Sequence, residues 1–260
     1  MRLVRSLVPL ALLLVLSACG GSSSTPEKKD NTTATETPAV PLTTVDPATA
    51  GTIEGTISFD GVPPADKVID TKADPTCGRA HREPLYTETA VVADGKVRWA
   101  FVRISGGLEG KSFGVPSEPV VVDQEGCVYV PHVVGVVTGQ TIQVLNSDET
   151  LHNVNAVCAA NKRFNMAMPL KGMKQEKKFA TAEMVHFKCD VHPWMSAYIG
   201  VCDNPFYAVS EADGGYVIRN VPPGDYTVEV WHETFGKLTM PVTVLSSGSA
   251  RADFTFKAAS

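Results

Sequence analysis

From residue 51 onward the chain runs in short stretches where apolar and polar side chains alternate, each stopped by a turn. Thr52-Ile53-Glu54-Gly55-Thr56-Ile57 ends at Asp60-Gly61, and Lys96 to Ile104 follows Asp94-Gly95. Thr141 to Leu145, Val185 to Cys189, Tyr216 to Arg219, Thr227 to Trp231 and Met240 to Leu245 keep the same two-residue beat. Asp213-Gly214-Gly215, Pro222-Pro223-Gly224-Asp225 and Ser246-Ser247-Gly248 add further turns. No segment holds a helical period over three turns. Regularly spaced short strands of this kind predict an all-β protein made of sandwiches.

The pattern upstream is different. Arg2 and Arg5 precede an apolar stretch from Leu7 to Leu16, too short to span a bilayer, and Leu16-Ser17-Ala18-Cys19-Gly20 closes it. This arrangement reads as a signal peptide over residues 1–19 and resembles the lipobox of bacterial lipoproteins. The resemblance implies acylation at Cys19 and an exported protein anchored to a membrane, facing the periplasm or the cell exterior. Residues 20–50, rich in Gly, Ser, Thr, Pro and charge, read as a disordered linker. As a flexible coil of about 30 residues it would span roughly 30 Å. The formal charge of −5 becomes −7 without Arg2 and Arg5, which argues against a nucleic-acid partner. About 210 residues remain, enough for one large or two small domains.

Chemistry concentrates in Cys189-Asp190-Val191-His192-Pro193-Trp194-Met195, where a thiol, an imidazole and a thioether recur every three residues. Soft sulfur with imidazole selects copper, and two His and one Cys with a weak axial Met make a blue-copper set. The missing imidazole is His152, six residues after Asn146 in Asn146-Ser147-Asp148-Glu149-Thr150-Leu151-His152-Asn153. Strand parity supports Cys189 as an inward residue with Val185 and Phe187, and sends His186 to the opposite, solvated face.

These two segments together resemble the cupredoxins of the plastocyanin and azurin class, with an amicyanin-like Cys-x2-His-x2-Met loop. The match covers residues 118–203 and implies a Greek-key β-sandwich with one type 1 copper held by His152, Cys189, His192 and Met195. It further implies that Asn153 clamps the loop at Asp190, a position where cupredoxins normally carry Ser or Thr. The ring edge of His192 would lie in an apolar patch formed by Pro193 and Trp194, where a redox partner docks. That partner would be a c-type cytochrome or a membrane or periplasmic oxidoreductase. The implied activity is electron carriage rather than catalysis. A copper chaperone using Met166, Met168 and Met173, or a surface-binding protein on a non-redox scaffold, are the alternatives.

Six cysteines test this reading. With Cys19 lipidated and Cys189 on copper, Cys77, Cys127, Cys158 and Cys202 remain for two disulfides in an oxidising compartment. The favoured pairs are Cys77 with Cys127 and Cys158 with Cys202. A zinc set of Cys77, His81, Cys127 and His132 competes with the first.

After the loop, Asp213-Gly214-Gly215-Tyr216-Val217-Ile218 and Val221-Pro222-Pro223-Gly224-Asp225-Tyr226 resemble the carboxypeptidase-regulatory, transthyretin-like module over residues 204–260. That module opens with a Gly-x-Ile-x-Gly strand, matched here by Gly51-Thr52-Ile53-Glu54-Gly55. The resemblance therefore implies a cupredoxin inserted after the first strand of a smaller sandwich, with Gly51 near Phe206. Residues 51–117 otherwise read as an N-terminal β region.

Overall fold

A computed structural model describes residues 41–258, so the signal peptide, Cys19 and most of the linker lie outside the described residues. Within this range the protein is almost wholly β, in two sandwiches. Strand Gly51–Asp60 buries every second residue, with Ile53, Ile57 and Phe59 inward. It pairs antiparallel with Gly215–Val221 and Lys96–Val97, and parallel with Ser249–Arg251 and Phe254–Lys257. The facing sheet runs in the order Tyr207–Val209, Phe101–Gly106, Gly224–His232, Gly236–Val244. Ile53, Ile104, Phe206, Ile218 and Val230 fill the space between the two sheets.

This pairing redraws the boundary at residue 117. Strand Phe101–Gly106 is hydrogen-bonded between strands of the C-terminal sandwich, so residues 51–106 supply strands to that sandwich and form no region of their own. Gly51 abuts Val244 and Gly248, while Phe206 packs edge-on against Phe113. The end of the expected linker is also placed: Thr43 bonds to Ser112, Ser247 bonds to Thr49, and Val45 packs on the core.

The second sandwich sits between strands Phe101–Gly106 and Tyr207–Val209 in the chain. One sheet has the order Phe164–Met168, His152–Val157, Glu183–Lys188, Ser196–Cys202, Val133–Val137; the other runs Met173–Lys177, Ile142–Asn146, Val120–Glu125, Val128–Val130. Val122, Tyr129, Ile142, Val144, Val154, Phe187 and Ile199 form its core.

The two sandwiches meet through a glycine pair. Gly135 and Gly200 lie opposite each other in the parallel ladder, and the rings of Tyr207 and Phe101 occupy the space where their Cβ atoms would stand. Phe101, Val133 and Cys202 form the buried centre of this contact, with Trp99, Tyr198 and Trp231 around it. His232, buried and stacked on Phe235 at 4.4 Å, accepts a hydrogen bond from the Thr234 N–H through Nδ1. Burial lowers its pKa to about 4.

Gly200→Ala forces the Phe101 ring out of its socket and should lower unfolding stability by about 1–3 kcal/mol in urea titrations. Neutral His232 costs nothing above the unfolded-state value near 6.5. Below it the unfolded chain takes up a proton that the folded chain refuses. Stability should therefore fall by up to about 3 kcal/mol as pH drops from 6.5 to 4. His232→Asn, which keeps an acceptor for Thr234 and cannot titrate there, should flatten that slope.

Candidate metal centre

His152 opens strand His152–Val157, and Cys189 directly follows strand Glu183–Lys188, its neighbour in the sheet. The loop after Cys189 closes on itself. Met195 N–H donates to His192 O at 2.9 Å, Cys189 N–H to Met195 O at 3.3 Å, and His192 N–H to Cys189 Sγ at 3.3 Å. Parity places Val185, Phe187 and Cys189 inward, and Met195 is buried in the same apolar cluster as Cys189. Ligand atoms of His152, Cys189 and His192 all lie within 4.8 Å of one another. The two Nδ1 atoms are 3.0 Å apart, and Cys189 Sγ is 3.9 Å from His192 Nδ1.

Asn153 and Asp190 are joined as well. Asn153 Oδ1 accepts the N–H of Asp190 at 2.6 Å and of Val191 at 3.3 Å, while its Nδ2 donates to the Asp190 carboxylate at 3.0 Å. Asn155 and Asn165 donate to the same carboxylate at 2.9 and 2.6 Å. These bonds, those from Asn155 and Asn165 foremost, hold the exposed Asp190 carboxyl below its ordinary pKa. An acidic residue fits here because three asparagine amides surround it.

Two carboxylates that sequence reasoning passed over complete the site. Asp148 Oδ2 accepts from His152 Nε2 at 2.9 Å and from Cys127 N–H at 2.7 Å, and its Oδ1 accepts from Gly126 N–H at 2.8 Å. Asp74 Oδ2 accepts from His192 Nε2 at 3.1 Å and Thr150 Oγ1 at 2.8 Å. Its Oδ1 caps the short helix Pro75–Ala80 through Thr76 and Cys77 N–H. With both Nε2–H groups committed to carboxylates, the neutral imidazoles turn two lone pairs toward each other. A cation between them, or a proton shared by the two nitrogens, relieves that arrangement. Burial pulls the pKa of His152 down, yet hydrogen bonds with Asp148 and Cys189 hold it at about 9. Burial pushes the Cys189 thiol up, and bonding to His152 draws it below its ordinary value. A thiolate and two imidazoles form a donor set that fits copper.

The expected exposed port at His192 is corrected. His192 is 3 % exposed, because the Cys77–Cys127 disulfide covers it, with Cys77 Sγ 3.6 Å from His192 Nε2. Pro193 is exposed, but Trp194 is half-buried, 5.1 Å from the His192 ring, and donates through Nε1 to Cys127 O. The disulfide also removes the zinc set: His81 bonds to Gly126 O, and the buried His132 pairs with Glu233 and Ser196 O. Residues 41–258 contain no second disulfide. Cys158 and Cys202 are free. Strand Glu183–Lys188 separates their strands by two spacings, about 9–10 Å and already beyond disulfide reach, and the register offsets the two cysteines further along the sheet. They also sit on opposite faces, Cys158 in the core and Cys202 against Phe101. His186 is no ligand, but it is half-buried rather than solvated, stacked on Tyr198 at 4.4 Å and bonded to Ser196 Oγ. Met166, Met168 and Met173 pack against the core and form no surface cluster.

No family model matches the chain, and no curated protein does. Among solved structures it is similar to a Cu-containing nitrite reductase (NirK) from Thermus scotoductus SA-01, with 19% identity over 39% of this chain, 25% of that chain and a TM-score of 0.32. A purple cupredoxin from Nitrosopumilus maritimus matches at 22% identity over 32% of this chain and 99% of that one, TM-score 0.28. A reduced amicyanin variant matches at 24% identity over 34% and 86%, TM-score 0.30. The structural neighbours are thus cupredoxins, at low identity and partial coverage.

Alkylation of the denatured, unreduced protein followed by peptide mapping should find Cys158, Cys189 and Cys202 all modified and Cys77 linked to Cys127. A Cys158–Cys202 linked peptide would contradict this arrangement.

Proposed function

We propose that the protein is a type 1 copper protein that carries single electrons. The observation that supports this most is the convergence of the two Nδ1 lone pairs and the Cys189 sulfur in one buried space, beside the buried Met195. A copper ion there supplies a one-electron Cu(II)/Cu(I) couple. His152, His192 and Cys189 would hold it, with Met195 as a weak fourth donor. Their positions are set by Asn153, Asp148 and Asp74, so little has to move when the charge changes. Because every one of these donors is buried, the site offers no face to a substrate, which favours electron passage over catalysis.

In this reading the lipid on Cys19 tethers the chain to a membrane facing the periplasm or exterior. The linker gives it reach, and a c-type cytochrome or a membrane or periplasmic oxidoreductase exchanges electrons with it. The first sandwich is a transthyretin-like appendage that carries the capping segment.

Titration of the metal-free protein with Cu(II) should develop an intense visible thiolate-to-copper band that saturates at one equivalent. Cys189→Ser should abolish the band, and His152→Ala should weaken binding. A wild-type protein that stays colourless would sink the reading.

A further inference from the structure

The residues around the candidate copper donors form a closed ring. From His152 Nε2 it runs to Asp148, from Asp148 to the N–H of Cys127, across the disulfide to Cys77, from the N–H of Cys77 to Asp74, and from Asp74 to His192 Nε2. Each half has the same parts: a carboxylate that takes a cysteine N–H and an imidazole N–H. Each carboxylate is itself fixed by a further backbone N–H, Gly126 for Asp148 and Thr76 for Asp74. Both sulfurs are fully buried, and the contacts that tie the four segments together span 22 to 118 residues of chain.

We infer that Asp74 and Asp148 are paired positioning residues for the metal, braced by the Cys77–Cys127 disulfide, which aim both Nδ1 atoms inward and bias the site toward the more highly charged ion. This inference rests on the copper reading and deepens it. A carboxylate on Nε2–H makes the opposite ring nitrogen a better donor and fixes its tautomer, and partners of this kind typically change metal affinity 10–100-fold. The added negative charge favours Cu(II) over Cu(I). The capped edge of His192 also separates the site from solvent.

The test uses the full-length protein and its Asp74→Asn and Asp148→Asn variants, loaded with copper. Each substitution should lower Cu(II) affinity about 10–100-fold, measured by chelator competition, and change Cu(I) affinity less. The reduction potential should then rise by 59 mV for every tenfold difference between the two effects. Cys77→Ser/Cys127→Ser should loosen both carboxylates and shift the potential in the same direction. In wild-type protein loaded with Cu(I), ring 15N–1H spectra should show both Nε2 atoms protonated and protected from exchange with water. This measurement keeps the inference open to failure even where a variant does not fold. Unchanged potentials in variants that keep the thiolate-to-copper band, or a freely exchanging His192 Nε2–H, would overturn the clamp and leave the copper reading intact. A wild type with no band overturns both.

Discussion

Two imidazole nitrogens face each other at 3.0 Å in a buried space, and much of the surrounding structure holds them there. Left to themselves, two neutral rings would turn away, because facing lone pairs repel and gain no hydrogen bond. What prevents this is at their far edges, where Asp148 and Asp74 accept the Nε2 protons. Neither carboxylate would stay put alone. Asp148 is fixed by the turn at Gly126 and Cys127, and Asp74 by the first turn of the helix it caps. The disulfide joins those two anchors, so turning one imidazole would strain the other.

This constraint explains why the N-terminal segment belongs to two parts of the molecule at once. Its strands, Gly51–Asp60 and Phe101–Gly106, lie in the first sandwich, yet the stretch between them crosses to the loop end of the second and delivers Asp74 and Cys77. Such a stretch is accurate only if the two sandwiches cannot slide. The glycine pair Gly135 and Gly200 supplies that fit, because aromatic rings seated against bare backbone leave no room for adjustment. The His132 to Glu233 pair adds a polar tie between the sandwiches close to Ser196, which directly follows Met195.

Those elements that announce themselves locally were legible in the sequence. Two-residue alternation marks the strands, and the three-residue beat of Cys189, His192 and Met195 marks a metal loop whatever surrounds it. The Asn146 to His152 crossing was legible for the same reason. Asp148 was within that segment and went unread, since a carboxylate four residues from a histidine signals nothing until the chain is folded. Asp74 was further from reach: Asp-Pro-Thr-Cys reads as a helix start, and its partner His192 is 118 residues away. The expected Cys158 to Cys202 bond failed on sheet geometry. Counting cysteines finds an even number, but it knows nothing of the strand between them or of the face each one occupies. His186 shows the limit of parity, which assigned its face correctly but could not foresee that the first sandwich would pack against that face.

Burying so many ionisable groups is tolerable only because of how their charges sum. Hydrogen bonding keeps the Asp74 and Asp148 carboxyls ionised, against the pull of burial in each. With Cys189 bound as a thiolate and both imidazoles neutral, a metal at this site would face three negative charges. A divalent ion would leave one of these uncompensated and a monovalent ion two, so under the proposed copper function the higher oxidation state would be held more strongly. The two carboxylates do not share this role equally. The Asp148 side chain is 11 % exposed and that of Asp74 22 %, so water screens Asp74 more. Asp190 carries a further negative charge near the sulfur, but at the surface, where solvent and the three asparagine amides absorb most of its field. In the proposed site the buried carboxylates behind the histidines would set the preference for charge, while Asp190, outside that ring, mainly sets the shape of the loop.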